Sequence, residues 1–314
     1  MGLMSASTVG QRVLPSGRHY EIRNGDQAAV ITEVGATLRR YIRAGRDVLD
    51  GFGEEEMCSV ARGQPLLPWP NRLEDGRYDL NGTSYQLPLT EPEQHNAIHG
   101  LARWLRWDSV EQSASRVLMV TTVFPQPGYP FLLGLEIEYT LSESGLSVRT
   151  TGRNLGQDPL PFGAGQHPYI TVGSTSIDED LLQAPGGSRL LTDSRQNAHG
   201  ERAGISGDYD FRGLRPIKGV KLDTAFTDLE RDKEGLAWVE LRRAEGSASV
   251  RLWLDRAYEY VMLFTGDAIP EVGRRRKSLG VEPMTCAPNA FRTKEGLQIL
   301  RPAESFTARW GISN

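Results

Sequence analysis

Apolar and polar residues alternate with a period of two along much of this chain. Leu133, Leu135, Ile137 and Tyr139 alternate with Gly134, Glu136 and Glu138. A Ser142-Glu143-Ser144-Gly145 turn follows, and Leu146, Val148 and Thr150 resume the alternation. Successive side chains of a strand point to opposite faces, so this pattern predicts a hairpin with one buried face. Asn81-Gly82 lies between Tyr78-Asp79-Leu80 and Ser84-Tyr85-Gln86-Leu87. A tight hairpin turn needs positive φ at both central residues, which Asn-Gly tolerates, so a second hairpin is predicted there. Further strands are predicted over 28–32, 117–124, 237–241, 250–254, 260–264, 296–300 and 305–312. The only helix-like window is short, over 54–61.

Many short strands, Gly- and Pro-rich turns and almost no helix predict an all-β fold, a large β-sandwich. No composition break or internal repeat divides the chain, so a single domain over 1–314 is expected, with about 1–15 as an N-terminal extension. The polar, Gly-rich stretch 178–219 reads as a long excursion over the surface.

Composition narrows the function. Of the 314 residues, 39% are hydrophobic and 24% charged, a mix that can bury a core. A net charge of −4 offers no general basic field, so neither nucleic acid nor an anionic membrane is an expected partner. The N-terminus lacks the apolar centre of a signal peptide, and no apolar run is long enough to span a bilayer. Cys58 and Cys286 form no metal-binding pair and no disulfide framework. A cytoplasmic location is expected.

The chemistry concentrates in five segments. In Val281-Glu282-Pro283-Met284-Thr285-Cys286-Ala287-Pro288-Asn289-Ala290-Phe291, a carboxylate ends an apolar run and prolines follow. Prolines neither continue a strand nor start a helix easily, so Glu282 is expected at a stiff strand-to-loop corner, suited to a general base. In Gln166-His167-Pro168-Tyr169, proline holds His167 extended and makes its imidazole a candidate acid. Arg72 follows Pro68-Trp69-Pro70-Asn71 and could donate paired hydrogen bonds to sugar hydroxyls, although alone it reads better as a surface arginine. Asp223 could accept from vicinal hydroxyls or simply cap a turn. His95 and His99 have metal-like spacing, but Pro92 and Gly100 argue against a helix there, and no metal is expected. Trp69, Trp104, Tyr169 and Phe291 could offer ring faces to a sugar, although each is more often core.

Taken in order, these segments resemble the aldose 1-epimerase (mutarotase) family. The order is Asn71-Arg72 before Asp75-Gly76-Arg77-Tyr78, then His99-Gly100, His167-Pro168-Tyr169, Leu222-Asp223 and Glu282-Pro283. The likeness runs from Gly35-Ala36 to Trp310-Gly311-Ile312. It implies a galactose-mutarotase-like supersandwich and a cofactor-independent isomerase that interconverts α and β anomers of a hexose or related sugar. It implies Glu282 as base and His167 as acid, with substrate held by Arg72, His99 and Asp223. Asn71 and Tyr169 flank those positions and are expected to line the groove. Galactose-type members usually show Asn-His and His-Gly-Gly where this chain has Gln166-His167 and His99-Gly100-Leu101. That departure resembles a bacterial branch that includes sulfoquinovose mutarotases. An ionised Glu282 and a protonated His167 would be required together, giving a bell-shaped pH profile.

Three other readings compete. A hexose-6-phosphate or sulfosugar 1-epimerase would need cations at the groove, for which Arg103, Arg106 and Arg274-Arg275-Arg276-Lys277 are available. A non-catalytic carbohydrate-binding β-sandwich would use the same aromatics without needing an acid and a base. A glycosidase would use Asp223 and Glu282 across a glycosidic bond. A monomer or homodimer acting on a small sugar is expected.

Overall fold

The computed structural model describes residues 13–313, so the expected extension over 1–15 falls almost wholly outside the described residues. The chain folds as antiparallel sheets, as the alternation predicts. One sheet of nine strands has at its centre Leu133–Ser142, Gly145–Asn154 and Ser305–Ser313. A second sheet of eight runs through Asp223–Thr227, Tyr260–Phe264 and Leu279–Met284. A four-stranded N-terminal sheet begins at His19–Asn24. Both predicted hairpins form. Leu133–Ser142 pairs in register with Gly145–Asn154, and Arg77–Leu80 pairs with Thr83–Gln86. Asn81 (φ 50°) and Gly82 (φ 79°) take the positive φ their turn demands.

The two large sheets share one core. Ile137, Tyr139, Val148, Leu252 and Trp310 from the first pack in the same cluster as Phe226, Val261, Leu263, Leu279 and Val281 from the second. Period two then dictates the rest. With Leu279 and Val281 turned inward, Glu282 and Met284 face the other side of the second sheet. There Met284 joins a smaller cluster with Ala225, Tyr260 and Met262. Loops roof that outer face, and the cavity described below lies beneath them.

Three expectations need correction. No helix forms over 54–61; that stretch is turns and irregular backbone, and the one α-helix among the described residues is the single turn Ala290–Thr293. The window is flanked by Gly53 and Gly63 and ends in the positive-φ residues Val60 and Ala61, which break helical geometry. The stretch 178–219 is not a free excursion. Asp180–Gln183 and Arg215–Pro216 extend the nine-stranded sheet, and Ser188–Thr192 and Ala198–Gly204 form an edge of the eight-stranded one. Finally, Glu282 is not at a corner but inside the strand Leu279–Met284. Proline is tolerated because the neighbouring chain breaks there. Val281 and Thr285 donate their amides to the carbonyls of Pro168 and Ala164, and Pro283, between them, has no amide to leave unpaired.

Candidate active site

Glu282 and His167 meet at the break in that ladder. His167-Pro168 separates the short strands Gly165–Gln166 and Tyr169–Ile170, both paired to Leu279–Met284. Gln166 points into the core, where its amide binds Tyr139 and Gly63 and its carbonyl oxygen accepts from Trp310. Alternation then turns His167 to the outer face. His167 Nε2 lies 3.2 Å from Glu282 Oε1, and the side chains are 6% and 3% exposed. Tyr169 stacks on the imidazole at 4.7 Å, with ring planes 9° apart, and its hydroxyl donates to the Val60 carbonyl. Arg62, 2% exposed, lies over the far face of this stack, 4.2 Å from the Tyr169 ring centre.

His99 packs edge-on against His167, with ring centres 5.6 Å apart. Two left-handed residues hold it. His99 (φ 62°) and Asn71 (φ 55°) exchange contacts: the His99 amide donates to the Asn71 carbonyl, and the Asn71 amide donates to His99 Nδ1. A ring accepting at Nδ1 carries its proton on Nε2 and can donate it to a ligand. Gly100, at φ 72°, cannot be replaced freely, since a Cβ would sit 2.0 Å from the Leu67 carbonyl oxygen. The Asn71 side chain turns back to accept from the Arg72 amide. Arg72 is held by Glu91, with Nε and Nη2 each 2.9 Å from a carboxylate oxygen, which leaves Nη1 available to a ligand. Asp223 begins the strand Asp223–Thr227 and accepts from Gln196 at 2.9 Å.

These residues line a cavity of about 710 Å³, within the range of small-molecule sites. All seven expected site residues, Glu282, His167, Arg72, His99, Asp223, Asn71 and Tyr169, are on its wall. His95 is not; it is exposed and pairs with Asp75. Among the aromatics, Trp104 lines the cavity and is 56% exposed, whereas Trp69 and Phe291 pack on each other in the core. Of the candidate cations only Arg103 reaches this cavity. Arg106 pairs with Glu33 and Asp108, Arg276 with Asp178 and Asp267, and Arg274 and Lys277 line a different cavity. Arg62, Glu91 and Gln196 carried no local signal in the sequence. Gln196 lay in a stretch read as surface, and Arg62 acts from beneath Tyr169.

Burial sets the protonation of the central pair. It pushes Glu282 up to about 8, a shift the Asp223 charge reinforces and Arg72 opposes. It drives His167 down to about 3, helped by the Arg62 charge. His99 is also held well below its ordinary value by burial, then by Arg103 and His167. Crowding by the cavity walls raises Asp223 against the pull of Arg72, although the side chain keeps contact with solvent, which tempers the shift. Near neutral pH burial therefore favours a protonated Glu282 against a neutral His167 over the ionised Glu282 and protonated His167 that the sequence reading requires for catalysis. Both arrangements contain the same number of protons. Glu282 Oε2 and His167 Nδ1 are buried without partners among the described residues. The donor atoms of His99, His167 and Glu282 lie within 4.8 Å of one another, and two imidazoles with one carboxylate are donors of a kind that divalent transition metals accept.

Comparison with known proteins bears on the family and the fold. The family model described as aldose 1-epimerase matches residues 18–313. The protein YihR of Escherichia coli K12 is 33% identical over 286 residues, covering 91% of this chain and 89% of its own length. A second protein of that organism, YphB, is 24% identical over 93% of this chain and 97% of its own length. The GalM/aldose epimerase homologue from C. elegans superposes with a TM-score of 0.82 at 17% identity, covering 94% of this chain and 98% of that one. Galactose 1-epimerase from Lactobacillus acidophilus NCFM superposes with a TM-score of 0.77 at 20% identity, covering 94% and 93%. At these identities the superpositions speak for the fold, while the family match spans nearly the whole chain: the protein is a member of the aldose 1-epimerase family, with the galactose-mutarotase-like sandwich fold.

Proposed function

We propose that this protein interconverts the α and β anomers of an aldose, with Glu282 and His167 as its acid/base pair. The observation that carries this reading is their 3.2 Å contact, buried at the wall of a sugar-sized cavity. A sugar entering between them brings its C1 hydroxyl and its ring oxygen to two groups that share one mobile proton. Glu282, as carboxylate, takes the proton from the C1 hydroxyl while His167, as imidazolium, gives one to the ring oxygen. The C1–O5 bond breaks, the aldehyde turns about C1–C2, and the ring recloses on its other face with the two roles exchanged. The proton that burial keeps on Glu282 moves to His167 as the polar sugar replaces their direct contact. His99 Nε2–H, Arg72 Nη1 and Asp223 hold hydroxyl groups. A non-catalytic sugar-binding sandwich has no use for a buried acid in contact with a buried base. Anomer-exchange NMR on glucose and galactose tests the proposal. Exchange should accelerate with the wild-type chain and lose most of that acceleration in Glu282→Gln; equal rates in the two would overturn it.

A second reading concerns the sugar. Arg103 lines the cavity with a largely buried guanidinium whose Nε has no partner among the described residues, and its Nη2 donates only to the Ile98 carbonyl. Burial without a carboxylate is costly for a cation, and a sulfonate or phosphate on the substrate would relieve that cost. This favours a sugar bearing an anionic group, such as a sulfosugar or a hexose phosphate. Adding glucose 6-phosphate and sulfoquinovose to the same NMR screen tests it. Arg103→Gln should selectively slow exchange of the charged sugar.

A further inference from the structure

Two of the cations that do not reach the sugar cavity, Arg274 and Lys277, line another one. This second cavity, about 890 Å³, is lined by Arg39, Arg40, Arg46, Arg243, Arg274 and Lys277 against only Asp47 and Asp50. Four positive charges remain in excess in a chain whose net charge is −4. Like charges concentrated in a concavity repel one another, so such a set persists most readily where an anion offsets it.

Internal pairing offsets it only in part: Arg243 reaches Glu245 at 3.2 Å and Arg274 comes within 3.8 Å of Glu56, acids outside the lining. Arg40 pairs with Asp47 at 2.9 Å, but both are exposed, where pairing is worth little. Asp50 is already engaged by the buried Arg62 at 2.6 Å and by Ser278 at 2.9 Å, and Arg274 approaches it only to 3.5 Å. Arg39 donates to the Phe52 carbonyl and leaves its Nε buried without an acceptor. Arg46 and Lys277 form no ion pair among the described residues. Thr171, Ser174 and Ser247 add hydroxyls, and Gly51 and Gly53 bring bare backbone to the wall.

We propose that this cavity is a second ligand site, separate from the sugar cavity, for a small metabolite carrying a diphosphate or two phosphate groups. Arginine forks and a lysine suit phosphate oxygens. Three lining cations with no ion pair among the described residues, Arg39, Arg46 and Lys277, match a diphosphate better than a single phosphate. The concave shape and ligand-like volume fit a small molecule, and the acidic net charge opposes an extended polyanion such as nucleic acid.

Isothermal titration calorimetry of the full chain with inorganic pyrophosphate tests this. Saturable binding is expected, at least about tenfold tighter than that of inorganic phosphate, and weakened by added sodium chloride. The double variant Arg46→Gln/Lys277→Gln should weaken pyrophosphate binding by about tenfold or more. Both side chains lie outside the core, and an unchanged melting temperature would verify the fold. Arg103→Gln, in the sugar cavity, should bind pyrophosphate as the wild type does. Absence of saturable heat up to about 10 mM, an affinity too weak to matter for a metabolite, would overturn the proposal. So would undiminished binding in the double variant, or loss of binding in Arg103→Gln, which would place the anion in the sugar cavity. Anomer exchange measured on the same samples is a separate readout, so failure here leaves the catalytic reading standing.

Discussion

The two cavities answer the same problem, charge in a concave wall, in opposite ways. In the cavity of Glu282 and His167, these two groups sit deep in the eight-stranded sheet, His167 at a break between two of its strands, and burial leaves a neutral His167 against a protonated Glu282. In the second cavity the cations Arg40, Arg46 and Lys277 stand exposed to water, where a charge costs little. The difference teaches what each can do. Burial tunes proton affinity, which acid/base chemistry requires, while hydration preserves charge, which anion binding requires. A chain of contacts links the two cavities. Asp50 lines the cationic one and grips Arg62, which lies over Tyr169, which stacks on His167.

The largest expected effect isolates the neutral pair. Glu282→Gln and His167→Asn should each slow anomer exchange by roughly 10²–10⁴-fold, the usual worth of one general acid or base. Arg46→Gln should leave the exchange rate unchanged. Polarimetry on the three variants checks this, and comparable losses in all three would erase the distinction between the cavities.

Cutting that chain of contacts comes next. Asp50→Asn leaves Arg62 buried with its charge uncompensated. Losing one partner of a fully buried pair costs about 3–5 kcal/mol, and because Asp50 keeps some exposure, roughly 2–3 kcal/mol is expected here. Urea unfolding measures it, and the His167–Tyr169 stack should loosen, lowering the exchange rate as well.

Glu282 also carries a stability signature. Unfolded, its carboxyl ionises near 4.5, whereas folded it holds its proton to about 8. At this carboxyl the folded state therefore binds more protons across that window, and the Glu282 contribution to stability falls as pH rises from about 4.5 to about 8, with the lowered His167 offsetting the fall below about 6.5. Glu282→Gln removes the penalty, so at pH 7.5 the inactive variant should be more stable by on the order of 1–3 kcal/mol, measured by denaturant melts. For the same reason wild-type kcat/KM should decline above about pH 8, where the pair loses its shared proton. The ion-pair and neutral-pair forms hold equal numbers of protons, so only a direct probe such as the His167 ring nitrogen resonances separates them. An imidazolium signal in the empty enzyme at pH 7 would contradict the neutral pair.

The smallest effect concerns substrate holding. Arg72→Lys loses the fork that Glu91 clamps and should raise KM by about tenfold with kcat little changed.

Much of the fold was legible because strands write themselves locally. The 133–142/145–154 hairpin and the Asn81-Gly82 turn follow from period two and from positive φ, both properties of neighbouring residues. The stretch 178–219 was misread because its strands are short and polar and owe their existence to partners far along the chain, such as 237–243 and 223–227. Pro283 misled for a similar reason, since its place inside a strand depends on a gap in the opposite chain.

The sequence by itself determined the alternation that makes the sheets, the ordered series of segments that marks the family, and which residues had suitable chemistry. Tertiary structure alone decided which of them converge. His99 enters the cavity and His95 faces solvent; Arg103 enters and Arg274 joins another cavity. It alone decided the protonation of Glu282 and His167 as well. Convergence and burial are set by contacts between residues remote in the chain, and proton affinity follows burial, so no local pattern can encode either.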